Sequence, residues 1–112
     1  MATRIGSYVN QNSGETTILW SGLLNTDDGR GSRSGHLSDL SVQAFGTFGA
    51  GGTVTIQGSA DGTTWAPIGA GLTLTDGQVK SVGSVPAYIR PNITGGDGTT
   101  NLSVVVTGKF PR

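Results

Sequence analysis

The amino-acid sequence predicts an all-β protein: one antiparallel β-sandwich or jelly-roll-like domain of about eight short strands. Glycine occurs 20 times and proline 4 times in 112 residues, and the longest stretch without either is "HLSDLSVQAF" (36–45). Glycine inside a helix costs about 1 kcal/mol relative to alanine and proline about 3 kcal/mol, so little of the chain can be helical. Apolar and polar residues instead alternate in short segments separated by turn signals, a pattern typical of half-buried strands.

The composition limits the size of the protein and its classes of partner. A chain of 112 residues makes one domain of ordinary size, and without cysteine it has no disulfide or thiolate metal site. Seven basic and seven acidic residues leave no net charge to attract nucleic acid or an anionic membrane. No apolar run approaches the ~20 residues of a membrane helix, and no signal-peptide pattern is visible. We therefore expect a protein made in the cytoplasm, with neither nucleic acid nor a membrane as partner.

The chain begins with a polar, turn-rich segment, Met1–Gly14. We predict that this segment is an arm or a loosely attached first element, because it lacks a regular apolar pattern. The β-sandwich domain is predicted to span 15–112.

The first strong strand is "ETTILWSGLL" (15–24), which is apolar on both faces. Strict alternation places Ile18, Trp20 and Leu24 on one face and Leu19 and Leu23 on the other. A strand of this kind needs cover on both sides. Leu19 and Leu23 are therefore candidate interface residues.

A long polar loop, "NTDDGRGSRSGH" (25–36), follows this strand. Loops of this length are uncommon in compact domains and often carry function. Its arginines, Arg30 and Arg33, could pair with acidic groups on a partner protein, so both are candidate interface residues.

Two alternating segments, 37–48 and 53–59, are joined by the turn "GAGG" (49–52). The inward residues are expected to be Leu40, Val42, Ala44 and Phe48 on the first segment and Val54 and Ile56 on the second. The spacing of the turn predicts an antiparallel hairpin.

Short strands then follow within "TTWAPIG", "LTLT" and "QVKSV". The segment "NLSVVVTGKF" (101–110) closes the chain, with its inward face expected to carry Leu102, Val104 and Val106. Between them, "PAYIRPNIT" (86–94) alternates, with Tyr88 and Arg90 on the face opposite Pro91. Proline cannot donate to a ladder, so this strand is predicted to lie at an edge or to carry a bulge. Tyrosine and arginine are enriched in interface hot spots, which makes Tyr88 and Arg90 candidate interface residues.

Trp65 admits two interpretations. It follows the turn at Asp61–Gly62 in "GSADGTTWAPIG" (58–69) and so stands at the start of a return strand. A buried indole would contribute several kcal/mol on the scale of ~25 cal/mol per Å², which favours a core position at one end of the sandwich. The alternative is an exposed platform on which a ligand stacks.

Residues suited to catalysis are scarce. His36 is the only histidine and Glu15 the only glutamate, while most aspartates stand in turns, where bonding to the backbone explains them. Glycine-rich segments such as "GRGSRSG" lack the strand–loop–helix context of a phosphate site. We expect no enzymatic activity, no metal site and no cofactor.

The segments "VTIQGSADGTTWAPIG" and "VKSVGSVPAYIRPNITGGDGTTNLSVVVTGKF" combine a strand, an "S-x-DG-x-x-W" turn, a strand reading "Y-I-R", a glycine-rich turn and a final valine-rich strand. In this combination residues 53–110 resemble small all-β virion proteins of tailed bacteriophages. The "DG-x-x-W" turn is also similar to one in discoidin-like and other carbohydrate-binding sandwiches.

The phage resemblance implies a non-enzymatic head decoration (cement) protein. Such a protein binds the major capsid protein on the outer capsid surface, often as a homotrimer, and stabilises the shell. The segment Met1–Gly14 would suit contact with a neighbouring copy. Two alternatives remain open: a carbohydrate-binding or adhesin module of a tail or baseplate, with Trp65 as its platform, and a neck or tail-completion protein.

Overall fold

The structure of the chain, a computed structural model, describes residues 3–4, 6–12, 15–33, 38–68, 73–75, 77, 79–82 and 86–109. These residues contain no helix and form twelve β-strands, five of them only two residues long. The strands are β1 (Thr3–Arg4), β2 (Ser7–Asn12), β3 (Glu15–Leu23), β4 (Asp28–Gly29), β5 (Ser32–Arg33), β6 (Ser38–Thr47), β7 (Thr53–Ser59), β8 (Ala66–Pro67), β9 (Thr73–Leu74), β10 (Val79–Val82), β11 (Tyr88–Thr94) and β12 (Asn101–Lys109).

Two sheets pack face to face as a β-sandwich, which confirms the predicted fold class. The seven-stranded sheet has the order β1-β4-β11-β7-β8, with β5 also paired to β11 and β9 to β7. The five-stranded sheet has the order β10-β6-β12-β3-β2. Among the described strands, the pairings are antiparallel except that β1 runs parallel to β4.

The core lies between the sheets and is built from alternate residues of the long strands. The five-stranded sheet contributes Ile18, Trp20, Leu23, Leu40, Val42, Ala44, Leu102, Val104 and Val106, and the seven-stranded sheet contributes Val54, Ile56, Leu74, Ile89 and Ile93. Each fully buried aliphatic side chain contributes about 1.5–3 kcal/mol relative to an exposed one. The inward faces predicted for β6, β7 and β12 are confirmed.

Strand β3 departs from strict alternation at Gly22. Trp20 and Leu23, three positions apart on β3, pair with residues two positions apart on β12, so β3 carries one extra residue in a β-bulge. Gly22 has a φ of 69°, a conformation that glycine adopts without steric cost. The bulge returns Leu23 to the inward face: it is fully buried, whereas Leu24 is 41% exposed. The prediction that Leu23 is an interface residue is therefore wrong, because strict alternation does not hold across a bulge.

The hairpin predicted between β6 and β7 is also wrong. Strand β6 pairs with β12 and β10 in one sheet, while β7 pairs with β11, β8 and β9 in the other. The connecting turn therefore carries the chain across the sandwich, with Gly49 at φ 74° and Gly51 at φ 71°. Because β6 and β7 lie in different sheets, their inward residues face each other across the core.

Pro91 lies in the interior of β11, between β7 on one side and β4 and β5 on the other. The N–H of Ile93 donates to the carbonyl of Asp27 on the β4 side at 2.8 Å. Since alternate residues of a strand direct their N–H groups the same way, the nitrogen of Pro91 faces that side as well. On that side the strand pairing is interrupted at residues 30–31, between the end of β4 and the start of β5. The prediction that this strand lies at an edge or carries a bulge is therefore wrong: β11 is an interior strand in regular register with β7, and the missing donor of Pro91 faces a gap in the ladder on its other side.

The same interruption provides an acceptor for Trp20. Its indole N–H donates to the carbonyl oxygen of Arg30 at 3.0 Å, and a buried donor left without a partner would cost about 1–3 kcal/mol. The ring also needs glycine beside it: a Cβ atom at Gly6 or Gly29 would lie 2.7 or 2.8 Å from indole atoms. Trp20 therefore links β3 of the five-stranded sheet to the backbone of the β4–β5 segment in the other sheet.

The segment Met1–Gly14, predicted as an arm, contains two strands that join the sandwich. Strand β1 pairs with β4 in the seven-stranded sheet, and β2 pairs with β3 in the five-stranded sheet. A polar sequence suffices here because an edge strand needs main-chain hydrogen bonds on one side only. In place of a free arm, the described part of this segment contributes one strand to each sheet.

Candidate binding surfaces

The outer face of the seven-stranded sheet carries large polar and aromatic side chains. Tyr88 and Arg90 alternate with the inward residues of β11, and Arg90 stands opposite Gln57 of β7. Asp28 of β4 and Trp65, just before β8, complete the group. We call these five residues the aromatic–arginine face. The sequence indicated Tyr88, Arg90 and Trp65, and it missed Asp28 and Gln57, which only the strand pairing brings to this place.

Arg90 is held by two partners on neighbouring strands. Its Nε donates to Oε1 of Gln57 at 2.7 Å, and one terminal nitrogen lies 3.3 Å from Oδ2 of Asp28. The side chains of Arg90 and Asp28 are 21% and 11% exposed, so the ion pair is partly shielded from water. A planar guanidinium bonded from two directions has a fixed orientation.

Trp65 stacks on this fixed guanidinium. The Cζ atom of Arg90 lies 4.5 Å from the centroid of the Trp65 ring, a cation–π geometry. The six-membered edge of the indole lies against the backbone of Gly31, where a Cβ atom would come within 2.5 Å of Cη2. Trp65 is half-buried and lies outside the hydrophobic core. The core position predicted for Trp65 is therefore wrong; the core tryptophan is Trp20.

The turn before Trp65 is held together by its own polar groups. The Asp61 carboxylate accepts hydrogen bonds from the backbone N–H groups of Thr64 and Thr63, at 2.8 and 2.9 Å, and from the Ser59 hydroxyl. These donors, the Thr64 N–H foremost, hold the pKa of Asp61 well below its ordinary value. At the turn, Gly62 has a φ of 82° and packs beside the ring of Tyr88. This network fixes the backbone of the turn up to Thr64, and therefore the position from which the Trp65 side chain projects.

Arg30 and Arg33 border the aromatic–arginine face. Both side chains are exposed. Arg33 pairs with Tyr88 across β5 and β11, and its Cζ atom lies 6.0 Å from the centroid of the tyrosine ring. Within the part of the chain that the structure describes, neither arginine forms an ion pair with an acidic side chain. Arg33 therefore stands beside Tyr88, and Arg30 directly precedes Gly31, whose backbone lies against Trp65.

The outer face of the five-stranded sheet carries four apolar side chains among polar ones. Leu19 pairs with Val105, which pairs with Gln43, which pairs with Val79, so these residues form one row across the sheet. Phe45 stands two residues along β6 from Gln43 and points the same way; Phe45 is 47% and Val79 61% exposed. We call Leu19, Phe45, Val79 and Val105 the apolar face. Alternation indicated Leu19, but the sequence alone does not show that β10 pairs with β6.

The described residues contain no group of three or more histidine, cysteine, aspartate or glutamate side chains able to hold a metal ion. His36 lies outside the described residues. Within the described ranges, the structure has no helix of the length and hydropathy needed to cross a membrane.

Comparisons with known proteins bear on the fold alone. No protein-family model matches the chain, and no curated protein matches it. The crystal structure of a cupin domain from Bordetella pertussis Tohama I is similar over 99% of this chain and 96% of its own, with a TM-score of 0.54 and 14% identity. Peruvianin-I, a cysteine peptidase from Thevetia peruviana latex, is similar over 87% of this chain and 51% of its own, with a TM-score of 0.46 and 15% identity, too little to support an argument. The likeness to the cupin domain supports the sandwich architecture and carries no function.

Proposed function

We propose that this chain is a non-enzymatic structural protein of a tailed-bacteriophage virion, a decoration protein on the outer capsid surface. It is made in the host cytoplasm and then binds the major capsid protein as a homotrimer. The resemblance of residues 53–110 to small virion proteins suggests the setting, and one surface of the sandwich suggests the means of attachment.

The observation that carries the proposal is the apolar face. Phe45 and Val79 are 47% and 61% exposed and share one sheet surface with the half-buried Leu19 and Val105, with Gln43 between Val105 and Val79. Exposed apolar side chains grouped on one surface of a soluble protein mark interaction sites, because leaving them in water is unfavourable. We assign this face to the contact between copies of the chain within the trimer.

The proposed mechanism is adhesion. Each copy makes a contact of modest area, and three linked copies bind a repeating capsid lattice together. Once one copy is bound, the others bind at a high effective concentration, which raises the total strength without any new type of contact. A shell covered in this way resists internal pressure better than a bare one.

The test combines oligomeric state with capsid binding. Size-exclusion chromatography with light scattering should give a trimer for the natural chain. The double variant Phe45→Lys, Val79→Lys should give a folded monomer, since charges placed in the interface must be desolvated. Thr94→Lys, at an exposed position on β11 of the other sheet, is the matched control and should remain a trimer. Each form is then mixed with purified capsids from which the protein has been removed, and pelleted.

The proposal is refuted if the natural chain is a stable monomer and does not pellet with capsids. A trimer that survives both lysine substitutions would remove the assignment of the apolar face, while leaving decoration itself to the pelleting result.

A further inference from the structure

We infer that the aromatic–arginine face is a second binding site, for polysaccharides that carry carboxylate or sulfate groups. It lies on the outer face of the seven-stranded sheet, whereas the apolar face lies on the other sheet. The two sites can therefore be occupied together, and this inference does not depend on the capsid proposal.

The first argument is the placement of Trp65. A sugar ring binds to the flat surface of an aromatic side chain by burying C–H groups against it, which requires an indole of fixed orientation. Arg90 stacks on the Trp65 ring at 4.5 Å and is itself bonded to Gln57 and Asp28. Trp65 is half-buried, so part of its ring is accessible to a ligand. The platform is therefore held in place before any ligand arrives.

The second argument is charge. Arg30 and Arg33 are exposed, and neither has an acidic partner among the described residues. The nearby carboxylates are already engaged: Asp28 with Arg90, and Asp61 with the N–H groups of its own turn. Arginine binds carboxylate and sulfate oxygens with paired N–H groups. Arg33 beside Tyr88, and Arg30 next in the chain to the Gly31 that contacts Trp65, match a saccharide that carries negative charges along its length.

The third argument is the setting of these groups. Trp65 follows a turn fixed by Asp61, and Tyr88 stands on a strand in the middle of the sheet with Arg33 stacked beside it at 6.0 Å. Aromatic rings and cations spread along the outside of a sheet suit an extended polymer, which contacts them at successive units. Single contacts of this kind are weak, and contacts made at successive units of one polymer strengthen one another.

Native gel electrophoresis of the whole chain tests the inference, with sodium alginate, heparin or dextran in the gel. Alginate supplies carboxylates, heparin supplies sulfates, and dextran is a neutral control. The protein should be retarded by alginate, by heparin or by both, and not by dextran. Trp65→Ala should weaken that binding about tenfold, the size expected when an aromatic contact at the centre of a site is removed. Thr47→Ala, at an exposed position of the other sheet, should leave it unchanged.

A charge-matched pair separates specific recognition from general attraction. Arg33→Gln and Lys80→Gln each remove one positive charge, from the seven-stranded and the five-stranded sheet respectively. Arg33→Gln should weaken binding to the retarding polymer and reduce its dependence on salt, and Lys80→Gln should do neither. Circular dichroism, together with fluorescence of the buried Trp20, verifies that each variant is folded.

Three results would overturn the inference: no retardation by either acidic polymer, equal retardation by dextran, or a folded Trp65→Ala protein that binds as the natural chain does. Equal losses from Arg33→Gln and Lys80→Gln would also overturn it, because the attraction would then be a property of the whole protein.

Discussion

Two adjacent leucines offer a direct test of the bulge in β3. Strict alternation from Trp20 places Leu24 inward and Leu23 outward, whereas the bulge at Gly22 reverses the two. We therefore predict that Leu23→Ala destabilises the fold strongly and that Leu24→Ala does so weakly. The two variants lose the same atoms from neighbouring positions, so each is the control for the other.

The magnitudes follow from the burial of each side chain. Leu23 is fully buried, and removing a buried leucine side chain to alanine costs about 2–5 kcal/mol, through lost burial and the cavity that remains. Leu24 is 41% exposed, so its truncation should cost less than about 1 kcal/mol. Unfolding entropy near 2.1 cal/mol/K per residue makes each kcal/mol worth about 4 °C in Tm for a chain of 112 residues. Leu23→Ala should then lower Tm by roughly 8–20 °C, and Leu24→Ala by less than about 4 °C.

Urea unfolding followed by tryptophan fluorescence, with calorimetry for Tm, measures both quantities. All proteins are compared at one concentration, because association would make Tm depend on concentration. Gly22→Ala adds an independent measure: a Cβ there would meet nothing within 4 Å, so its cost, about 1 kcal/mol, comes from the φ of 69° alone.

The reasoning is refuted if Leu24→Ala costs as much as Leu23→Ala. It is equally refuted if Leu23→Ala leaves stability unchanged and alters only the molecular mass in solution, which is the behaviour of an interface residue.

Three further predictions concern the turns and the core. Thr26 has a φ of 66°, so Thr26→Gly should relieve backbone strain and raise the free energy of unfolding by about 1 kcal/mol in urea titrations; a decrease would contradict this. Trp20→Phe removes the indole donor to Arg30 and some buried area, and should lower stability by about 1–3 kcal/mol in the same assay, with near-zero loss as the contrary result. The pKa values of Asp61 and Asp97 are lowered from 3.8, for Asp61 first by the Thr64 N–H and for Asp97 first by the Thr99 hydroxyl. The stability that these two carboxylates contribute is therefore present above pH 3.8 and is lost as the pH falls further. Asp97→Asn should make the free energy of unfolding depend less on pH when it is measured from pH 2 to 6. An unchanged pH profile would contradict the assignment.

Much of the fold follows from local patterns in the sequence. Glycine and proline exclude long helices, and alternation identifies the inward residues of β6, β7 and β12, because a regular strand has a side-chain period of two. The prediction fails where that period is interrupted. One extra residue at Gly22 reverses the faces of Leu23 and Leu24, and local alternation carries no signal of where a bulge falls.

The candidate sites depend more on pairing between distant segments than on local pattern. The turn at Asp61 is recognisable from its residues, but the face that receives Trp65 depends on β7 pairing with β8 and β11. Alternation along β11 places Arg90 on the face opposite Pro91. Its partners Asp28 and Gln57 lie 62 and 33 positions away along the chain, so no local pattern identifies them. Val79 likewise joins the apolar face only because β10 lies beside β6. Separations of this size leave no local trace in a single sequence.

The path of the chain between the two sheets has a consequence for assembly. From β1 to β12 the polypeptide changes sheets seven times, so that neither sheet is formed from one continuous stretch. A half-length fragment would hold pieces of both layers and complete neither, which makes a stable partly folded intermediate difficult to form. Folding should therefore be all-or-none and slow, since strands far apart along the chain must meet before much apolar surface is removed from water.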